Sequence, residues 1–241
     1  MGEYMEKITS YLRWISLIFL FAITGGCLAL YLIFRSSKKA QPMLQACCRL
    51  YARHLGAKVE IIGEKNIELK NAVVLFNHNS FMDHFVVVGS LNALVFGIEK
   101  VSNYKIPLYG YISKKWGNIG IDRSNREQSL EALEELKKRL QDGGNLIIAP
   151  EGTRKPVGEL KPFKKGGFYF ADQTGADIIP ITLIGMADLN PDGKFLLRPR
   201  KIYMHIGKVE SSKGLDVDQL RDKYRKYYED KIKELGEQGY V

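Results

Sequence analysis

Ala72-Val-Val-Leu-Phe-Asn-His-Asn-Ser-Phe-Met-Asp-His84 reads as a strand, a polar break and the start of a helix. Five apolar residues, Ala72 to Phe76, suit a strand covered on both faces, as in a parallel sheet. Phe81 to Leu91 reads as an apolar helix with Ser80 as its natural N-cap. Within one helix, residues five apart point about 140° away from each other. His78 and Asp83 therefore meet only if His78 precedes the helix. A carboxylate on one ring nitrogen would then fix the tautomer and stabilise the imidazolium. A neutral imidazole, with a pKa of roughly 6.5 when unperturbed, can take a proton from a hydroxyl and return it. The same residues also fit a plain structural role, because Ser80-Phe-Met-Asp83 is a capping box in which Asp83 satisfies a backbone N–H. A cap leaves the adjacent histidine unexplained.

Outward from this unit, apolar runs of strand length at Val59–Ile62, Asn145–Ala149 and Ile178–Ile184 alternate with helical patterns. That alternation predicts an α/β layered domain with a largely parallel sheet flanked by helices. Ser124-Asn-Arg-Glu127 is a capping box opening a helix with Leu130, Leu133, Leu136 and Leu140 on one face, ended by Gly143-Gly144. Its Glu134–Lys138 and Glu135–Arg139 pairs read as a solvated face. Arg200 to Lys208 alternates as a strand, with Ile202, Met204 and Ile206 inward and His205 outward. Val217 to Leu235 repeats Leu220, Tyr224, Tyr227 and Ile232 at helical spacing, as in a helix docked on the core.

With 241 residues, 45% of them hydrophobic, the chain can hold one sizeable core and a small appendage. The appendage is N-terminal: Trp14 to Phe34 holds no charged residue and, at ~1.5 Å per residue, reaches roughly the 30 Å hydrocarbon thickness of a bilayer. Gly25-Gly26 near its middle leaves three forms open: a full span, a hairpin or a shallow inserted helix. The domain organisation expected is a membrane-associated helical region at residues 1–58 and an α/β domain at residues 59–241. Pro42 to Leu55 forms a second helical stretch that suits either the lipid interface or the core. More basic residues follow the apolar segment (Arg35, Lys38, Lys39, Arg49, Arg53) than precede it (Lys7, Arg13), which predicts a body on the cytoplasmic side. Cys27 lies in the apolar segment and Cys47-Cys48 are vicinal, so no disulfide framework or metal-type spacing arises. A formal charge of +9 suits nucleic acid, an anionic membrane or an anionic substrate. The apolar segment favours the last two, and no nucleic-acid module is recognisable.

Three further motifs follow the histidine in order: Gly117-Asn-Ile-Gly-Ile-Asp-Arg123, Pro150-Glu-Gly-Thr-Arg154 and Ile179-Pro-Ile-Thr-Leu183, with Phe163-Lys-Lys-Gly-Gly167 after the second of these. Together with His78 and Asp83 they resemble the glycerolipid acyltransferases of the lysophosphatidic acid acyltransferase type, over about residues 60 to 185. The sequence departs from the family pattern at Ala149, where an aromatic is usual, and at Gly120, where a larger residue is usual. Neither departure touches a polar group.

The resemblance implies acyl transfer from a thioester to the sn-2 hydroxyl of 1-acyl-glycerol 3-phosphate, with His78 as base and Asp83 as its orienting partner. It implies no cofactor, the donor being acyl-coenzyme A or acyl-acyl carrier protein. It puts Arg123 and Arg154 at the phosphate site with Gly152 and Thr153. Arginine suits this task because its planar fork binds oxyanions through two N–H groups. Glu151 beside them reads as a partner positioning an arginine, and Lys105, with Lys100, as an additional cation. Phe81, Phe85, Val88 and Leu91 form an apolar wall suited to an acyl chain, although an ordinary core explains the same pattern. A thiolate of pKa about 8.5 leaves without strong acid help, so one histidine can serve the whole cycle. Two other classes remain open: a metal-dependent membrane hydrolase using His78, Asp83 and His84, and a non-enzymatic basic membrane-surface protein.

Overall fold

The computed structural model describes residues 2–65, 67, 69–122, 126–154, 160–191 and 195–240. Its elements run α1 (Gly2–Phe34), α2 (Ser37–His54), β1 (Ala57–Gly63), β2 (Ala72–Phe76), α3 (Asp83–Ser90), β3 (Val95–Lys100), α4 (Tyr109–Trp116), β4 (Ile119–Ile121), α5 (Arg126–Gln141), β5 (Asn145–Ile148), α6 (Gly166–Thr174), β6 (Asp177–Ile184), α7 (Met186–Leu189), β7 (Arg200–Ile206) and α8 (Val217–Glu237). A short 3-10 helix, Val101–Lys105, joins β3 to α4. Arg123 and the capping serine Ser124 lie outside the described residues.

The strands form one sheet in the order β1-β7-β6-β2-β5-β3-β4, with β6 and β7 as its antiparallel pair. β2 sits near the middle, and its five residues are all buried because side chains alternate between two covered faces. Ala72, Val74 and Phe76 join a core with α2 and α3, while Val73 and Leu75 join a second core with α5, α6 and α8. The largely parallel α/β layering expected from the sequence is therefore present. Strands β3 and β4 were not among the expected ones. Pro180 lies in β6, where it lacks an N–H for a ladder, and pairing with β7 begins only at Ile181.

Gly25-Gly26 does not break α1, which runs as one continuous helix. Gly25 faces α4 so closely that a Cβ there would lie 3.2 Å from Leu108 Cδ2, so it serves close helix approach. Ser10, Leu17, Leu28 and Leu32 are buried on the inner face of α1, and Thr24 there is hydrogen-bonded to Tyr51 Oη. Ile8, Ile15, Phe19, Ile23, Leu30 and Phe34 are exposed on the outer face. By length and composition α1 can cross a bilayer.

The boundary expected after residue 58 falls inside β1, and Leu17, Cys47, Cys48, Tyr51 and Ala52 of α1 and α2 share the core of the α/β layers. The apolar side of α2 is thus spent on the core, leaving Lys38, Lys39, Arg49 and Arg53 outside. On α8, Leu220, Tyr224, Tyr228 and Leu235 are the buried anchors, whereas Tyr227 and Ile232 are only partly covered. His205 faces away from the inward Ile202, Met204 and Ile206 as expected, but it is partly covered rather than open to solvent.

Candidate active site

Three motifs converge where β2, β5 and β6 end. Asn77, directly after β2, is buried and its side-chain amide imitates a strand: Nδ2 donates to the Leu183 carbonyl at 2.9 Å and Oδ1 accepts from Leu183 N–H at 2.7 Å. The next backbone N–H, that of His78, donates to Glu151 Oε1 at 2.8 Å. Asn77 thus ties the loop to β6, and His78 ties it to the segment after β5.

The chain then turns, and His78 Nδ1 lies 2.8 Å from Asp83 Oδ2. His78 stands before α3 and Asp83 is its first residue, the arrangement the five-residue spacing requires. The same Oδ2 accepts the backbone N–H groups of Asn79 at 2.7 Å and Ser80 at 2.9 Å. One carboxylate oxygen therefore serves as both cap and imidazole partner, so the two readings of Ser80-Phe-Met-Asp83 are compatible. The helix begins later than the sequence suggests. Ser80 does not occupy the N-cap but turns the loop, its Oγ accepting Met82 N–H at 3.2 Å.

With Asp83 an acceptor, the Nδ1 proton points at it and Nε2 carries the lone pair. Asp83 is fully buried while the His78 side chain is 24% exposed, so the basic nitrogen faces the open side of the site. Burial raises the Asp83 pKa above the ordinary value, and the bonds from His78, Ser80 and Asn79 oppose that rise. His84, edge-on to Phe81 and tilted against Phe85, is driven down to about 4 by burial, with the charges of His78 and Arg154 acting in the same direction. It stays neutral at physiological pH.

Glu151 is buried and both its oxygens are engaged, by His78 N–H and by Lys161 N–H at 3.2 Å. Both oxygens thus brace backbone, and among the described residues no arginine pairs with them. Burial raises the Glu151 pKa, partly opposed by those two bonds. The folded state then binds the proton more tightly than the unfolded chain, so this carboxyl makes stability fall as pH rises from its ordinary 4.5 through the raised value. Glu151→Gln should flatten that part of a plot of urea midpoint against pH. An unchanged slope would remove Glu151 as its source.

Gly152 has φ +65, and a Cβ there would lie 2.9 Å from Lys164 Cδ. The turn delivers Thr153 and Arg154 to the surface, with the Arg154 guanidinium carbon 5.9 Å from the Phe81 ring centroid. Lys161, not singled out from sequence, reaches the same turn: its Nζ donates to Thr153 Oγ1 at 3.1 Å and to the Arg154 carbonyl at 3.0 Å. The sequence offers one signal for it, a lone lysine two residues before the Phe163-Lys-Lys-Gly-Gly167 stretch. Lys105 is exposed at the end of the 3-10 helix with no carboxylate partner among the described residues, and no described contact joins it to His78. Gly120 is accommodated by Tyr104, whose ring would lie 2.6 Å from a Cβ there.

The apolar residues on and flanking α3 separate into two sets. Phe81 is exposed beside Trp14, and Phe85 packs on Phe81, His84 and Tyr51. Phe85 and Val86 also line a groove of about 680 Å³ between α2, α3 and β1, rimmed by Arg49, Arg53, Lys58 and Lys201. Val88 and Leu91 do not line it; they are packed in the core. Among the described residues no three His, Cys, Asp or Glu side chains form a metal-ligating group.

A family model described as Acyltransferase matches residues 58–184. A 1-acyl-sn-glycerol-3-phosphate acyltransferase of Chlamydomonas reinhardtii is 34% identical over 171 residues, covering 70% of this chain and 51% of that protein. Proteins of the same name from Saccharomyces cerevisiae (28% identical; 76% of this chain, 62% of the relative) and Borreliella burgdorferi (27%; 68% and 66%) are also similar. The chain spans about half the length of the C. reinhardtii relative, and 40% of that of the chloroplastic protein of Brassica napus. The crystal structure of the 1-acyl-sn-glycerophosphate (LPA) acyltransferase PlsC from Thermotoga maritima superposes with a TM-score of 0.83 over 98% of both chains at 24% identity, a likeness of fold. With its matched region running from β1 to the end of β6 and holding the His78–Asp83 pair, the chain belongs to the Acyltransferase family.

Proposed function

We propose that this chain transfers a fatty acyl group from an acyl thioester to the sn-2 hydroxyl of 1-acyl-glycerol 3-phosphate, forming phosphatidic acid. The observation that carries this reading is the His78–Asp83 pair at 2.8 Å, with Nε2 turned to the open side of a cation-bearing turn. The names of the similar curated proteins support it. In the proposed step Nε2 takes the hydroxyl proton as the oxygen attacks the thioester carbonyl. The tetrahedral oxyanion collapses with cleavage of the C–S bond, and the imidazolium returns its proton to the departing thiolate. No protein nucleophile takes part.

Arg154, Thr153 and Lys161 would hold the phosphate, with Arg123 beside them by resemblance and Lys105 as an additional cation. Glu151, its oxygens occupied, would hold the loop rather than the phosphate. The acyl chain would follow Phe81 and Phe85 toward the groove. The donor would be acyl-coenzyme A or acyl-acyl carrier protein. The inner face of α1 is held by the domain from Ser10 to Leu32, at ~1.5 Å per residue roughly the thickness of the hydrocarbon layer. A helix engaged over that length would lie along the membrane with its outer face in lipid, and the basic face of α2 would meet anionic head groups on the cytoplasmic side.

The test offers the purified protein an acyl thioester with lysophosphatidic acid, glycerol 3-phosphate or monoacylglycerol. Lysophosphatidic acid should be strongly preferred, because a site built for an anion leaves its cations unpaired when the phosphate is missing. Arg154→Ala should narrow the preference over monoacylglycerol. Equal use of glycerol 3-phosphate would reassign the acceptor, and indifference to the phosphate would remove Arg154 from the site.

A further inference from the structure

We infer that the inner face of α1 positions the catalytic loop, through a buried polar relay in which Ser10 and Asn190 hold Ser80. This rests on the acyl-transfer reading above. Asn190, which follows α7 outside the region matched by the family model, is 1% exposed. Its Oδ1 accepts the Ser80 hydroxyl at 3.2 Å, and its Nδ2 donates to the Leu196 carbonyl at 2.9 Å. One residue on, Leu197 N–H donates to Ser10 Oγ at 3.0 Å, and Ser10 is also 1% exposed. A turn further along α1, Trp14 Nε1 donates to the Phe195 carbonyl at 2.8 Å while its ring lies 6.3 Å from that of Phe81 in the catalytic loop.

Two routes therefore join α1 to the loop between His78 and Asp83, one polar and one aromatic. Ser80 is the point where the polar route acts. Its hydroxyl is held by Asn190 and its backbone N–H donates to Asp83 Oδ2, the oxygen that also engages His78. A shift of Ser80 changes the support of that oxygen and the aim of the imidazole. Ser10, Asn190 and Trp14 touch no reacting atom in this scheme; they are positioning residues. The burial of Ser10 and Asn190 gives the polar route its leverage, since a buried polar group without its partner forces the surrounding backbone to move.

The experiment compares Ser10→Ala, Asn190→Ala and Ser10→Thr in the full chain, with kcat and KM expressed per folded molecule and amide exchange followed at Asn79 and Ser80. Glu6→Gln is the control. It breaks the exposed Glu6–Arg198 ion pair at the same helix–loop contact without touching the relay. Ser10→Ala and Asn190→Ala should lower kcat about 10- to 100-fold with KM nearly unchanged, the scale on which ~1 Å misplacement of a catalytic group acts. Exchange at Asn79 and Ser80 should quicken, Ser10→Thr should recover most of the rate, and a double variant carrying Ser10→Ala with Asn190→Ala should be little worse than Asn190→Ala alone. A kcat within twofold of the unaltered protein in both alanine variants, or an equal loss in Glu6→Gln, overturns the inference. Absence of acyl transfer in the unaltered protein would instead defeat the functional reading.

Discussion

His78→Ala is expected to lower kcat by about 10²–10⁴, or ~3–5 kcal/mol of barrier, while the fold survives. The side chain lies on the open side of a loop, and the groups that hold that loop are not on the imidazole: Asn77 bonds β6, the His78 backbone N–H bonds Glu151, and Asn79 and Ser80 bond Asp83. Asp83→Ala should cost activity and stability together, because it releases the imidazole and leaves two backbone N–H groups near the buried end of α3 without their acceptor. Asp83→Asn keeps an oxygen for those amides but no longer stabilises an imidazolium, so it should unfold at nearly the normal urea concentration with much reduced kcat. Steady-state kinetics beside urea titrations check the pair. Near-normal turnover in His78→Ala would end the general-base assignment.

Deleting residues 2–34 should destroy the folded state instead of yielding a soluble enzyme. Leu17, Leu28 and Leu32 are 8%, 2% and 3% exposed, and at ~1.5–3 kcal/mol for each buried leucine their loss removes roughly 5–9 kcal/mol. Native domains have only about 5–15 kcal/mol in total. The deletion also uncovers Tyr51, Ile112 and Trp116 and strips Leu197 N–H of Ser10. The truncated chain should aggregate or show no cooperative urea transition by circular dichroism. A transition matching the full chain would mean that α1 adheres to the domain without supporting it.

The contrast between these experiments follows what the sequence makes legible. A strand such as Ala72–Phe76 has a local signature, and so does the requirement that His78 stand outside the helix beginning with Asp83. Both are read from neighbours in the chain. β3 and β4 escaped because Gly97, Ile98 and Glu99 carry no clean alternation, and β4 is only three residues long. The course of α1 escaped because every residue from Trp14 to Phe34 is uncharged, and hydropathy alone does not distinguish a face turned to lipid from one turned to protein. Ser10 gives a faint signal, one of two hydroxyls, with Thr24, in a mostly apolar stripe. Its partner lies near residue 197, so no local pattern could reveal the relay. Val88 and Leu91, on and just past the end of α3, fit an apolar wall as well as a core, and only the placement of α2 separates the two.

The pairing of Ala57 with Arg200 also governs the order in which the protein can assemble. More than half the chain lies between these two residues, so β1 has no strand to join until β7 has been synthesised. During that interval α1 and α2 have left the ribosome, while the segment that receives Ser10 and Trp14 does not yet exist. Such long-range closure is slow and leaves apolar surface uncovered in the meantime. Lipid can cover the outer face of α1 throughout, so early contact with a bilayer would act as a chaperone, holding the N-terminal helices out of aggregates until the last strand arrives.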